Sequence, residues 1–144
     1  MKTLVAALLF ALLGGGCAAT GGKQTPFVAS WAAGHVQPVA DKVVQYNNQT
    51  LREVVRLSAG GEYVRVRIAN TFGSSTLIIG EAHVALRDSA SRIVAGTDKV
   101  LTFSGQRAIA VPAGAPVLSD PVRMDVKPLA ELAVSLWLPN PTAL

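Results

Sequence analysis

The stretch Leu51–Gly73, LREVVRLSAGGEYVRVRIANTFG, decides the fold class. Leu51, Val55 and Leu57 fall on one side of an extended segment. Val64, Val66 and Ile68 then alternate with Tyr63, Arg65 and Arg67. A period of two means strands with one buried and one wet face. Ala59-Gly60-Gly61-Glu62 lies between the two runs, and glycine takes turn conformations at little steric cost. The expectation is a β-hairpin that ends at the corner Asn70-Thr71-Phe72-Gly73. Arg52, Arg56, Arg65 and Arg67 would then form one basic stripe on its solvent face.

Working outward, Thr76–Arg87 reads as a long strand whose phase changes. Leu77 and Ile79 share a face, and after Gly80-Glu81 the apolar set becomes Ala82, Val84 and Leu86. A glycine at such a shift marks a bulge or a crossing between sheets. Val100–Phe103 and Ala108–Val111 read as a second hairpin around Ser104–Arg107. Pro112–Pro116 reads as a rigid loop, Ser119–Pro121 as a turn, and Val122, Met124 and Val126 as an alternating strand. Leu132–Leu138 is the last strand. Upstream, Phe27–Ala33 is a candidate first strand, with Trp31 as a core anchor. No segment has helical periodicity. Short strands separated by Gly and Pro indicate an all-β, antiparallel β-sandwich, jelly-roll-like in character.

The chain has 144 residues, 50% hydrophobic and 15% charged, with a formal net charge of +4. This fits one folded domain rather than disorder. The charge excess is too small, and too poor in interleaved aromatics, for nucleic-acid binding. Met1-Lys2, the apolar run Leu4–Leu13 and Gly14-Gly15-Gly16 have the order of an export signal. Small residues before Cys17 resemble a bacterial lipoprotein box, which implies lipidation of Cys17 and a membrane anchor. Ordinary cleavage after Ala19 is the alternative. The expected organisation is a leader over 1–19, a tether over 20–26 and a sandwich over 27–144, exported to the periplasm or cell envelope.

The chemistry of a self-sufficient enzyme is missing from the sequence. There is no G-x-S-x-G elbow, and only His35 and His83 are available as imidazole bases. The single cysteine excludes an internal disulfide and a thiolate metal cluster. Glu81 and His83 share a strand face, but two ligands do not make a metal site. No cofactor is implied.

Several segments, in order, resemble the front end of large bacterial GDSL/SGNH ester hydrolases. They are Val28–Ala33, Asn48–Arg52, Val64–Gly73, Ile79–Arg87, Leu101–Gly105, Ile109–Val122 and Leu132–Pro139. The resemblance implies an all-β domain ahead of an α/β hydrolase domain that cleaves esters with a serine in a Gly-Asp-Ser block. That block and the later Asp-x-x-His have no counterpart here, so no catalytic residue carries over. Ser119-Asp120 has the wrong order and is followed by Pro121. The expectation is the amino-terminal portion of such an enzyme, inactive alone, with a downstream hydrolase domain as partner. The alternative is a stand-alone envelope module that binds carbohydrate or another partner. Tyr63, Asn70, Phe72 and Trp137 are the candidate contacts for an ester or polysaccharide substrate. Each aromatic also fits a core or corner role, and Asn70 fits a turn closed by its side chain.

Overall fold

A computed structural model describes residues 26–39 and 43–142. The leader and Cys17 lie outside the described residues. The strands are β1 (Gln49–Arg56), β2 (Gly61–Val64), β3 (Arg67–Ala69), β4 (Leu77–Ile79), β5 (Glu81–Leu86), β6 (Lys99–Leu101), β7 (Ile109–Val111), β8 (Pro116–Leu118), β9 (Val122–Val126) and β10 (Glu131–Leu138). Among the described residues there is no helix.

Pairing is antiparallel throughout and nested. β1 pairs β10, β2 pairs β9, β3 pairs β8, β4 pairs β7 and β5 pairs β6. The chain is thus one long folded ribbon whose halves run side by side. Corner hydrogen bonds continue the ladder between named strands: Leu57 N–H to the Ala130 carbonyl (2.9 Å), Ser119 N–H to Val66 (2.9 Å) and Asn70 N–H to Ala115 (2.9 Å). β10 also pairs β5, rolling the ribbon up and giving a four-stranded sheet in the order β1-β10-β5-β6. This nesting is the topology of a jelly-roll-like sandwich.

The core lies between that sheet and the β2–β9, β3–β8 and β4–β7 ribbons. Val55, Leu57, Val84, Leu101, Leu132, Val134 and Leu138 meet Ile79, Val111, Met124 and Val126 in one cluster. The inward faces of Leu51–Leu57, of Val64–Ile68 and of β9 are those the alternation indicates. β10 is buried on both sides: Ala133 and Ser135 on its outer face are as enclosed as Leu132 and Val134. The β5–β6 connection reaches back over that outer face, where Arg52 Nη1 donates to the Ser91 carbonyl (2.6 Å).

Five expectations are corrected. Leu51–Ile68 is not a hairpin, because its two runs sit in different sheets and each pairs a strand from the far end of the chain. The basic stripe therefore splits, with Arg52 and Arg56 on β1 and Arg65 and Arg67 on the β2–β3 side. The hairpin of Val100–Val111 reduces to the tight turn at Ser104-Gly105, since β7 pairs β4 rather than β6. Phe27–Ala33 forms no strand, and Trp31 is exposed rather than a core anchor. Both hairpin errors share one cause. Alternation identifies a strand and its wet face but carries no information about its partner.

Gly80 is a crossing between sheets, passing the chain from β4 in one to β5 in the other. A side-chain carbon built there would lie 2.5 Å from Cε3 of Trp137. Gly80→Val should therefore cost about 1–3 kcal/mol of unfolding free energy, the usual size of an overpacking penalty. In a Trp137→Ala background the cost should fall below about 0.5 kcal/mol. A double-mutant cycle by urea denaturation measures both.

Candidate functional site

Asn70 closes the corner between β3 and β4. Its N–H donates to Ala115, and its carbonyl accepts from Gly114 (2.8 Å) and Gly73 (3.4 Å). Its Nδ2 donates to the carbonyls of Ser75 (2.8 Å) and Val111 (3.1 Å). A Cβ at Gly73 would overlap the Asn70 carboxamide, which explains why glycine stands three residues on. Asn70 therefore joins both halves of the ribbon at one corner.

Phe72 projects from the same corner. With Asn70, Gly34, His35 and Val36 it lines a shallow, open groove. The other two candidates stand elsewhere. Tyr63 is on β2, opposite Arg123 of β9. Trp137 is on β10, its ring over Gly80 and its Nε1 donating to Asn48 Oδ1 (3.1 Å). Asn48 takes φ 49°, a conformation asparagine tolerates better than most residues. Of the four proposed contacts, the groove brings together only Asn70 and Phe72.

The outer face of the four-stranded sheet gathers a different set. Ser135 of β10 stands directly opposite His83 of β5. His83 Nδ1 lies 2.7 Å from Asp98 Oδ2, and its Nε2 lies 3.5 Å from Glu81 Oε1. Arg107 Nη1 closes on Glu81 at 3.0 Å, and Arg52 Nε donates to Ser135 Oγ (2.9 Å). Serine, histidine and aspartate are neighbours here, but they are not wired for acyl transfer. A general base must hold the nucleophile's hydroxyl. Here Nε2 faces a carboxylate, and the hydroxyl oxygen accepts from a guanidinium. The arrangement is a charged lattice across three strands. Among the described residues, no group of three or more His, Cys, Asp or Glu side chains is placed to hold a metal ion.

Ser119 and Ser30 serve the backbone, whereas Ser89 joins the Asp88–Arg92 pair through its hydroxyl. Ser119, fully buried, accepts from Val66 N–H (2.9 Å) and donates to the Asp120 carbonyl (3.0 Å). Ser30 Oγ accepts from Ala59 N–H (2.9 Å) and donates to the Ala59 carbonyl (2.8 Å). Asp120 is the residue whose role the sequence least advertises. It accepts from Thr102 Oγ1 (2.7 Å) and from the N–H groups of Gly105 (2.8 Å) and Ser104 (3.1 Å). Ser104 and Gly105 have φ 52° and 81°, the all-positive geometry of a type I′ turn. The Thr102 hydroxyl, then the Gly105 and Ser104 amides, hold the Asp120 carboxyl below its ordinary value of 3.8, with a smaller contribution from Arg65.

No family model matches the chain, and no curated protein matches it.

Asn70→Ala should destabilise the fold by about 1–3 kcal/mol, because it leaves the carbonyl of the buried Val111 without its side-chain donor and opens the corner that Asn70 closes. Thermal and urea unfolding would register this with no ligand present. For Asp120, a folded-state pKa below the unfolded one gives stability that is fully present above about pH 4 and lost as pH falls through the folded value. The urea midpoint of the natural chain should fall as pH is lowered from about 5 through about 4 and below. The gap between it and Asp120→Asn should narrow over the same range.

Proposed function

We propose that this chain is the amino-terminal β-sandwich portion of an exported SGNH/GDSL-type ester hydrolase. On this reading it supports or shapes the substrate cleft of a downstream α/β domain and is inactive alone. The observation that carries the reading is the ordered series of resembling segments and where they fall in the fold. Val64–Gly73 covers β3 and the Asn70 corner, and Ile79–Arg87 covers the Gly80 crossing and β5. Ile109–Val122 covers β7 and β8, and Leu132–Pro139 covers β10. They are the strands and corners from which the nested ladder is built, as expected of a whole domain rather than a scattered motif.

The outer-face chemistry supports the reading of the piece as inactive alone. The one histidine beside a serine has both ring nitrogens directed at carboxylates. An oxyanion needs its own donors near the nucleophile, and the Ser135 hydroxyl is enclosed with, among the described residues, only Arg52 directed at it. In the cell, the leader exports the chain and lipidated Cys17 tethers it to the envelope membrane.

The test has two arms. The reading frame downstream of Leu144 should encode a Gly-Asp-Ser block, and the 144-residue chain should not hydrolyse a short p-nitrophenyl ester. Turnover by this chain that one serine substitution abolishes would overturn the proposal. The groove at Phe72 favours a second reading, a stand-alone envelope module that binds polysaccharide. Retention on envelope polysaccharide that is lost in Phe72→Ala, together with a frame that stops at Leu144, would establish that reading instead.

A further inference from the structure

The wall opposite the four-stranded sheet carries arginines that the chain leaves without counter-charge. Along Tyr63–Ile68, the side chains of Val64, Val66 and Ile68 pack on the core. Tyr63, Arg65 and Arg67 alternate with them and so point outward. On β9, Val122 and Met124 pack inward, which turns Arg123 to the same outer side. Arg123 stands opposite Tyr63, and Arg67 stands opposite Leu118. Three guanidinium groups and one tyrosine ring therefore share this wall.

By contrast, Arg87 pairs with Glu131, Arg92 with Asp88 and Arg107 with Glu81. Among the described residues, no carboxylate lies within ion-pair distance of Arg65, Arg67 or Arg123. Asp120 is the acidic group beside Arg65, and its oxygens are taken up by Thr102 and the Ser104 and Gly105 amides. Asp125 and Glu62 fall toward the Gly61 end of the wall, where Gly61 stands opposite Val126. The row from Tyr63 to Arg67 is thus positive, and its far end is not.

The spacing of the row selects among anions. Arg65 and Arg67 are two residues apart on one extended chain, about 7 Å. Arg123 lies diagonally across from Arg65, about 7–8 Å away at the backbone. Arg65 is not free to swing across that gap. Its Nε donates to the Ser119 carbonyl (2.7 Å), and its guanidinium lies 5.6 Å from the centre of the Phe27 ring. One small anion does not reach cations held this way, whereas a polymer with a repeating anion does. Each guanidinium offers a planar fork that matches a carboxylate. Tyr63, 42% exposed at the end of the row, offers a flat apolar ring for the face of a sugar. A single ring is too few for a run of stacked bases.

From this we infer that Tyr63, Arg65, Arg67 and Arg123 form a binding wall for an anionic polysaccharide, gripped through the carboxylates of its uronic-acid units. Neither the Phe72 groove nor a downstream hydrolase domain takes part, so failure of this binding leaves both readings above untouched.

Titration calorimetry of the 144-residue chain with polygalacturonate tests it. The comparison ligands are fully methyl-esterified polygalacturonate, dextran sulfate, single-stranded DNA and phosphatidylglycerol vesicles. Polygalacturonate should bind, its methyl ester should not, and added salt should release the polymer. Arg67→Gln and Arg123→Gln, both at exposed positions, should each weaken binding about 3-fold. Together they should weaken it about 10-fold. Arg92→Gln removes the same charge elsewhere and should leave binding unchanged. An equal loss in Arg92→Gln would reveal a net-charge effect and overturn the inference. So would no binding, equal binding of the methyl ester, or binding of dextran sulfate, DNA or vesicles at least as tight as that of polygalacturonate.

Discussion

The backbone pairing of β10, with β1 on one side and β5 on the other, turns a folded ribbon into a closed body. Without it the nested ladder would be a long two-stranded hairpin, and such hairpins are marginal in water. With it, Leu132, Val134 and Leu138 sit over Ile79, Val111 and Met124, and the ribbon's two ends share one sheet. The sharp features of the fold serve this closure. Gly80 lets the chain change sheets under the Trp137 ring, and Asn70 holds the opposite corner. Arg87 and Glu131 form an ion pair where β5 ends and β10 begins.

Much of this architecture was legible in the sequence, because alternation reports directly on which side chains meet water. The inward sets of Leu51–Leu57, Val64–Ile68, Val122–Val126 and Leu132–Leu138 all follow from it, and the phase shift at Gly80 marked a real sheet crossing. Partner choice was not legible. Two adjacent runs joined by Gly60-Gly61 suggest a hairpin, yet Val64 pairs Val122 and Leu51 pairs Leu136. Those pairings depend on the whole chain's closure, to which a local turn signal is blind. β8 was hidden for a related reason: Pro116 opens it, and proline is tolerated there because the strand belongs to a two-stranded ribbon.

The candidate site was legible in part. Asn70 was readable as a turn-closing side chain, though its reach to Val111 across the ribbon was not. Nothing local marks Asp120 as the acceptor for a turn at Ser104-Gly105, because the two come together only through the folded ladder. The same holds for Ser135 and His83, distant in sequence and adjacent in the sheet. Phe27–Ala33 exposes a different limit. Its pattern says strand, yet among the described residues it joins no sheet, because composition reports what residues prefer and not whether a neighbouring edge is offered to them.

Nesting also imposes an order of events on biosynthesis. Because β1 pairs the last strand, the amino-terminal half cannot complete its sheet until Leu138 has emerged from the ribosome. Contacts this distant along the chain make folding slow, since loop-closure entropy is lost before burial offsets it. The last strand is therefore the latch of the fold, shutting the body only when every other strand has been made.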